Sequence, residues 1–296
     1  IMLSEKKPSK GRAVRMSENR HIAETRKVIR RDPATRREIV VCPGGAYATL
    51  SAFEGEPVAR FFAGRGWNAS VCEYGVAEKA RMPEPLLELA LAVAQSRREN
   101  DFVAVCGFSA GANLAALLCT RFEETARLLG IKPEDVRPDA AVLGYGVYRF
   151  PAGMEPQPAE KFGQVAGLSD SLPECFQPAL RWTPAGDRLD FEELMLEYTS
   201  GLRKPPVSVL QSLSPAELAG PETPPAFLWT TREDTMVPPE QSLFYARALW
   251  AHGVPAALHV FSRGDHGEGL AVQNPESRFW PEMAHSWLLA LIGAKA

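Results

Sequence analysis

A serine within a glycine-flanked pentapeptide is the residue of this chain best suited to nucleophilic chemistry. Residues 107–111 read Gly-Phe-Ser-Ala-Gly, with Ser109 at the centre. An apolar run at 102–106 precedes the pentapeptide and an alanine-rich stretch at 110–122 follows it, which predicts a strand, a sharp turn and a helix. Such a turn exposes the serine hydroxyl, and the two glycines relieve crowding of the backbone. The alternative is an ordinary strand-to-helix turn with an incidental serine.

A second glycine-rich turn follows another apolar run. Residues 40–47 read Val-Val-Cys-Pro-Gly-Gly-Ala-Tyr. Glycines let a backbone turn sharply and direct its N–H groups at a substrate oxygen. We therefore predict an oxyanion hole formed by the backbone N–H of Gly45 or Ala46, with the N–H of Ala110 across the site. The alternative is an ordinary Pro-Gly-Gly loop.

A serine nucleophile of this kind needs an acid and a base later in the chain, each after a strand. The strand-like run 226–231 leads to Asp234, and the run 257–262 leads to the glycine-flanked His266. The base must reach the serine hydroxyl at about 2.6–3.2 Å, while the acid holds the other ring nitrogen. We therefore predict Ser109 as the nucleophile, His266 as the general base and Asp234 as the orienting acid.

Other acids and histidines fit these roles less well. Glu233 is adjacent to Asp234 and could replace it, and Asp234 could instead be a turn residue or a helix cap. Asp265 neighbours His266, but adjacent side chains point in different directions. The remaining histidines lie in the N-terminal segment, at a helix end, inside a strand and on the terminal helix: His21, His252, His259 and His285.

The elements that must position these residues alternate along the chain. Short apolar runs alternate with helix-like segments, which predicts a mainly parallel central sheet with helices on both faces. The predicted strands are Glu38–Cys42, Asn68–Tyr74, Phe102–Cys106, Ala140–Leu143, Ala226–Thr230 and Ala257–Phe261. The predicted helices are Glu54–Gly64, Pro83–Arg97, Ala110–Phe122, Pro239–His252 and Ser277–Ile292.

The alternation is interrupted at 148–206, where prolines and scattered aromatic residues replace regular periodicity. Long loops in compact domains usually cover or line a site. We therefore predict a single domain over 1–296 with this insertion as a lid or pocket wall; the alternative is a poorly ordered surface loop.

Four aromatic residues are candidates for the pocket wall and equally for the core: Tyr47, Tyr145, Tyr148 and Trp182. Residues 1–35 are basic and polar, which suits an edge hairpin or an arm.

Composition narrows the class of protein. The 296 residues are 45% hydrophobic and 23% charged with a net charge of −3, so there is no basic field for nucleic acid or an anionic membrane. No apolar run approaches the roughly 18 residues of a membrane span, and the N-terminus lacks a signal-like apolar segment, so we expect a cytoplasmic protein. Five cysteines, an odd number without a C-x-x-C pair, predict reduced structural thiols, no disulfide framework and no metal site. The aromatic terminal helix could face the core or a second subunit, which leaves a homo-oligomer open.

Together these motifs resemble the small α/β-hydrolase esterases described as acetyl-xylan-esterase-like, feruloyl-esterase-like or BD-FAE-type proteins. The segments that carry the resemblance are 40–47, 54–59, 107–115, 224–238 and 258–267. The resemblance implies an α/β-hydrolase fold and hydrolysis of short acyl esters, often acetyl groups on sugars, without metal or organic cofactor. It implies a small-molecule or oligosaccharide ester as substrate, Ser109, Asp234 and His266 as the triad, and Pro43–Ala46 as the oxyanion loop. Proline stands where that loop usually has histidine, and Ala46 where it usually has a third glycine.

Other functions are compatible with the same residues. An identical triad could cleave peptides or aryl formamides, although the length of one domain disfavours a peptidase. A hydrolase scaffold can also serve as a non-catalytic binding module, because fold does not dictate function. In a third interpretation, the insertion at 148–206 binds a partner protein.

Overall fold

A seven-stranded sheet forms the centre of the protein in the computed structural model, which describes residues 25–159, 174–183 and 186–295. Its strands are β1 (Arg26–Arg30), β2 (Arg37–Cys42), β3 (Asn68–Cys72), β4 (Phe102–Phe108), β5 (Ala140–Gly144), β9 (Ala226–Thr231) and β10 (Ala256–Phe261). Their spatial order is β1-β3-β2-β4-β5-β9-β10. Neighbouring strands are parallel except at the β1 edge, where β1 pairs with β3 antiparallel.

The helices lie between the strands along the chain, as the alternating pattern predicts. They are α1 (Glu56–Ala63), α2 (Glu84–Arg97), α3 (Ala110–Leu129), α4 (Pro133–Val136), α5 (Phe191–Ser200), α6 (Val207–Ser212), α7 (Pro215–Leu218), α8 (Glu240–Ala251) and α9 (Trp280–Lys295). Within the described ranges, no helix combines the length and the apolar character that crossing a bilayer requires.

Alternation along the strands divides the core into two layers. In β2, Val40 and Cys42 join the cluster packed against α2, α3 and α8, whereas Ile39 and Val41 join the cluster packed against α1 and α9. Successive side chains of a strand point to opposite faces, so a strand covered on both sides must be apolar throughout. The predicted mainly parallel sheet with helices on both faces is therefore confirmed.

The element boundaries differ from the predicted ones in a few places. The strand predicted at 68–74 ends at Cys72, and β4 continues through Gly107 to Phe108, one residue before the nucleophile motif's serine. Helix α3 extends beyond Phe122 to Leu129, where Gly130 adopts a left-handed conformation that ends the helix. Of the N-terminal residues, Arg26–Arg30 form the edge strand β1, and residues 1–24 lie outside the described part.

The insertion at 148–206 carries a small sheet of its own. Its antiparallel strands are β6 (Gln157–Pro158), β7 (Leu180–Thr183) and β8 (Gly186–Leu189), in the order β6-β8-β7. Gln241 Oε1 accepts hydrogen bonds from the N–H groups of Tyr148 and Arg149 at 2.9 and 2.8 Å. Gln157 Nε2 donates to the carbonyl of Thr235 at 2.7 Å. The insertion is thus attached to the main fold beside Asp234, while its role as a lid stays a prediction.

Candidate active site

Three side chains from three different loops meet at the carboxyl edge of the sheet. The hydroxyl oxygen of Ser109 lies 2.9 Å from Nε2 of His266, and Nδ1 of His266 lies 2.7 Å from Oδ2 of Asp234. An ionised carboxylate only accepts hydrogen bonds, so Nδ1–H donates to Asp234 and Nε2 accepts from the serine hydroxyl. The structure therefore brings together the three residues that the sequence suggests, in the order serine, histidine, acid.

The turn around Ser109 explains the glycines of its motif. Ser109 adopts φ 50° and ψ −119° between β4 and α3, a conformation that is costly for a side-chain-bearing residue. A Cβ on Gly107 would lie 2.4 Å from the carbonyl oxygen of Gly111, and one on Gly111 would lie 2.2 Å from that of Cys42. Both positions therefore exclude any side chain, and the tight turn leaves the serine hydroxyl facing His266.

The carboxylate of Asp234 is fixed on both of its oxygens. While Oδ2 accepts from His266, Oδ1 accepts from the backbone N–H groups of Met236 and Val237, each at 2.9 Å. The side chain is fully buried. A buried carboxylate with all its hydrogen bonds formed keeps one orientation, so it holds the imidazole in one tautomer. The neighbouring Glu233 instead lies near the N–H of Gly264, at 3.4 Å.

The environment of His266 favours a basic imidazole. Burial by itself would lower the pKa of His266, but the charge and hydrogen bond of Asp234, with the charges of Glu54 and Asp265, outweigh it and raise that pKa above the ordinary 6.5. An imidazole of raised pKa takes a proton more readily. His259 differs: its partial burial in β10 lowers its pKa.

The glycine-rich loop after β2 presents free backbone donors. The N–H of Gly44 donates to Oε2 of Glu54 at 2.8 Å. Within the described residues, the N–H groups of Gly45 and Ala46 donate to no protein acceptor, and Ala110 is the first residue of α3, where an N–H has no partner inside the helix. The loop turns here through positive φ angles of 127° at Gly45 and 55° at Ala46. In the described part of the chain, the three predicted oxyanion donors therefore lack a protein acceptor.

The tyrosines suggested for the pocket wall are buried in the core. Tyr47 and Tyr148 are 0% exposed and Tyr145 is 1% exposed. Tyr148 stacks on Tyr245 with ring centroids 5.0 Å apart, so the core interpretation holds for it. Tyr145 alone touches the site, because its ring lies edge-on to His266 at 4.9 Å. The side chain of Trp182 lies outside the described part of the structure.

Two buried polar residues support the site without having been identified from the sequence. Asn113, 1% exposed on α3, accepts a hydrogen bond from the hydroxyl of Tyr47 at 2.8 Å and donates to the carbonyls of Val147 and Leu213. Glu54, 2% exposed, binds the oxyanion loop as described above. Asn113 lies on α3, four residues after Ser109 at the N-terminal cap of that helix, and that spacing is the one signal that could have pointed to it.

A cleft of about 530 Å³ opens where the insertion meets the loop after β9. Its lining includes Gln157, Arg188, Asp234 and Pro238. Neither Ser109 nor His266 lines this cleft, so its volume says nothing about the size of the acyl group at the nucleophile.

Comparison with known proteins agrees with this geometry. Residues 39–269 match a family described as alpha/beta hydrolase fold. The chain is 29% identical to Endo-1,4-beta-xylanase B of Butyrivibrio fibrisolvens over 83% of its own length and 34% of the relative's. It is 24% identical to Esterase LipQ of Mycobacterium tuberculosis over 77% of its own length and 51% of the relative's. The chain thus spans about a third to a half of these curated relatives.

A solved structure matches most of the chain. The acetyl ester-xyloside bifunctional hydrolase from Caldicellulosiruptor lactoaceticus superposes with a TM-score of 0.68 at 28% identity, covering 90% of this chain and 87% of that one. The family match extends over most of the chain, from the strand before the oxyanion loop to the loop that carries His266. The chain therefore belongs to the α/β-hydrolase family and, within it, is similar to esterases.

Proposed function

We propose that this protein is a serine carboxylesterase that hydrolyses short-chain acyl esters, acetyl esters of carbohydrates among them, through an acyl-enzyme. The observation that carries the proposal is the hydrogen-bonded chain from Asp234 through His266 to the hydroxyl of Ser109. Open N–H donors at Gly45 and Ala46 support it. The acetyl preference is supported by the resemblance to an acetyl ester-xyloside hydrolase.

In the first half-reaction, Ser109 Oγ attacks the ester carbonyl carbon while Nε2 of His266 takes the hydroxyl proton. The carbonyl oxygen becomes an oxyanion, which the N–H groups of Gly45 or Ala46 and Ala110 stabilise by hydrogen bonds. The bond to the leaving alkoxide then breaks, and the protonated His266 returns its proton to that oxygen. The alcohol departs and the acyl group remains on Ser109.

In the second half-reaction, water takes the place of the alcohol. His266 removes a proton from the water as its oxygen attacks the acyl carbon, and the same N–H groups stabilise the second oxyanion. The bond to Ser109 Oγ breaks, and His266 returns the proton to the serine. The products are a carboxylic acid and the regenerated enzyme, and Asp234 stays ionised throughout.

The test is hydrolysis of p-nitrophenyl acetate and p-nitrophenyl octanoate by the parent protein and by Ser109→Ala. We expect the parent to prefer acetate and the variant to lose a factor of about 10⁶ in kcat. Ser96→Ala is a matched control, because Ser96 is also buried, and in the described part of the chain its hydroxyl bonds a carbonyl of its own helix α2. It should retain the parent rate.

Further substrates separate the rival functions. Release of acetate from acetylated xylan oligosaccharides, abolished in Ser109→Ala, would support the carbohydrate ester. Faster turnover of peptides or aryl formamides than of any ester would move the assignment to the corresponding hydrolase. Absence of activity on all of these, or equal rates for the parent and Ser109→Ala, would overturn the proposal in favour of a binding module.

A further inference from the structure

Glu54 is a buried acid that the reaction described above does not use. It lies in the loop between β2 and α1 and is 2% exposed. Its two carboxylate oxygens bind different segments: Oε2 accepts the N–H of Gly44 at 2.8 Å, and Oε1 accepts the hydroxyl of Tyr145 at 2.6 Å. A buried carboxylate is stable only where such hydrogen bonds replace water, so the fold retains Glu54 through these two contacts.

Tyr145, the second partner of Glu54, also contacts the loop that carries His266. The hydroxyl oxygen of Tyr145 accepts a hydrogen bond from the N–H of Gly269 at 3.0 Å, three residues after His266. The ring of Tyr145 also lies edge-on to the imidazole of His266, with centroids 4.9 Å apart and planes at 66°. A chain of three hydrogen bonds therefore runs from the oxyanion loop through Glu54 and Tyr145 to the loop that carries the base.

We propose that Glu54 is a positioning residue that holds the oxyanion loop and the His266 loop in one shared geometry. This inference rests on the proposed esterase function. Glu54 contacts neither the nucleophile nor the predicted oxyanion donors through its own hydrogen bonds. It acts by fixing the peptide of Gly44, directly before the donors Gly45 and Ala46, and the hydroxyl of Tyr145.

Both oxygens of Glu54 act as acceptors here, one for the N–H of Gly44 and one for the hydroxyl of Tyr145. A glutamine at this position offers one acceptor oxygen and an NH₂ group, which would face either the N–H of Gly44 or the hydroxyl of Tyr145. The contact is also tight, since a Cβ on Gly44 would lie 2.7 Å from Glu54 Oε2 and 2.9 Å from Cβ of Ser109. A change at Glu54 should therefore move the donors relative to the nucleophile.

The charge of Glu54 adds an electrostatic effect on the base. Three carboxylates act on His266, those of Asp234, Glu54 and Asp265, and each raises its pKa against the effect of burial. In the described part of the chain, no salt bridge includes Glu54, so no paired cation offsets its field. The other titratable side chain in hydrogen-bond contact with Glu54 is the neutral Tyr145.

The experiment compares Glu54→Gln with Tyr145→Phe on p-nitrophenyl acetate. Displacing an oxyanion donor typically costs about 10²–10³ in rate, so we expect Glu54→Gln to lose about 10² in kcat with little change in KM. Tyr145→Phe keeps the charge and the ring and should lose less. The acid limb of the pH profile should move to lower pH in Glu54→Gln alone, because only that variant removes a charge that favours protonated His266.

Glu38→Gln is the matched control, because Glu38 is also 2% exposed but lies at the other end of β2. It should leave kcat and the pH profile at parent values. A kcat for Glu54→Gln within threefold of the parent, or the same pH shift in Glu38→Gln, would overturn the proposal. If Glu54→Gln does not fold, unchanged kcat in folded Tyr145→Phe would overturn it equally.

A measurement without turnover separates this inference from the proposed function. Titration of the His266 ring by NMR in the Ser109→Ala background should give a lower pKa once Glu54→Gln is added. Absence of esterase activity in the parent, with this shift present, would reject the esterase and retain the coupling of Glu54 to His266. Activity in the parent without the shift would reject the coupling and leave the esterase in place.

Discussion

Glu38 and Glu54 are equally buried glutamates at the two opposite ends of strand β2, which we call the amino edge and the carboxyl edge of the sheet. Their hydrogen-bond partners differ. Glu38, at the start of β2, accepts hydrogen bonds from the guanidinium of Arg26 at 2.5 Å, the hydroxyl of Ser70 at 2.7 Å and the amide of Asn100 at 3.0 Å. Glu54, beyond the end of β2, accepts from two neutral donors in the described part of the chain, Gly44 N–H and the Tyr145 hydroxyl.

Under the proposed function, the contrast separates a buried carboxylate that stabilises the fold from one that affects the reaction. At the amino edge a cation neutralises the buried carboxylate, and the cluster joins β1, β2 and β3. At the carboxyl edge the charge of Glu54 raises the pKa of His266, the proton acceptor of the proposed reaction. Ligand sites of open parallel sheets lie at the carboxyl ends of strands, so changes there should alter rate, and changes at the amino edge should alter stability.

Among the substitutions of acidic residues, the largest effect should come from Asp234, the acid of the proposed triad. Asp234→Asn keeps the shape of the side chain but can present an NH₂ group to Nδ1 of His266, which favours the wrong tautomer for proton transfer from Ser109. We expect kcat to fall by about 10⁴, measured with p-nitrophenyl acetate, with little loss in melting temperature. A fall below tenfold would show that Asp234 does not orient the base and would restore Glu233 as a candidate.

Glu38→Gln should reverse this result, with a loss of stability and little change in kcat. The substitution leaves the guanidinium of Arg26, whose side chain is only 14% exposed, without its anionic partner. Leaving a buried polar group with fewer partners costs about 1–3 kcal/mol, so the free energy of unfolding in urea should fall by about that amount. We expect kcat to stay within twofold of the parent. A large loss of rate without loss of stability would contradict the division between the two edges.

The pH dependence tests the carboxyl edge more finely. In the proposed mechanism, His266 must be neutral to accept the proton of Ser109, and its pKa in the folded protein is raised above 6.5. The rate constant kcat/KM should therefore fall as the pH decreases through a value above 6.5. A midpoint below 6.5 would mean that burial outweighs Asp234, Glu54 and Asp265, against the geometry described here.

Part of this arrangement could be predicted from the sequence, because it depends on local patterns. Ser109 follows from a strand, a crowded turn and a helix within about 20 residues, and Asp234 and His266 follow from their places after strands. Glu54 could not be predicted, since its partners Gly44 and Tyr145 are 10 and 91 residues away in the chain. A hydrogen bond between loops of different strands leaves no periodic signal.

The insertion and the aromatic residues show the same limit. The sequence indicates that 148–206 interrupts the alternation of strands and helices. The side-chain hydrogen bonds of Gln157 and Gln241 that attach this insertion join residues 78 and about 90 positions apart in the chain. Burial of Tyr47 and Tyr148 was likewise undecided, because an aromatic side chain suits a core and a pocket equally. Their placement depends on Asn113 and Tyr245, which only the assembled fold brings next to them.

The smallest effect concerns Ala46, which adopts φ 55°. A left-handed conformation costs a residue with a Cβ about 1–2 kcal/mol, and glycine at this position would remove that cost. Part of the stabilisation is offset because glycine loses more entropy on folding. Ala46→Gly should therefore raise the free energy of unfolding by under about 1 kcal/mol, while its N–H remains available and kcat stays near the parent value.

Ala77→Gly is the comparison variant, because Ala77 has φ 53° in a short 3₁₀ turn. Its N–H donates to the carbonyl of Tyr47 at 2.7 Å, and glycine retains that donor. Equal stabilisation by both substitutions, with unchanged kcat, would mean that the strain at Ala46 is only a cost to folding. A rate loss confined to Ala46→Gly would mean that the Cβ helps to hold the oxyanion N–H in place. In that case the carboxyl edge would hold its donors by two means, the hydrogen bond to Glu54 and the restricted backbone of Ala46.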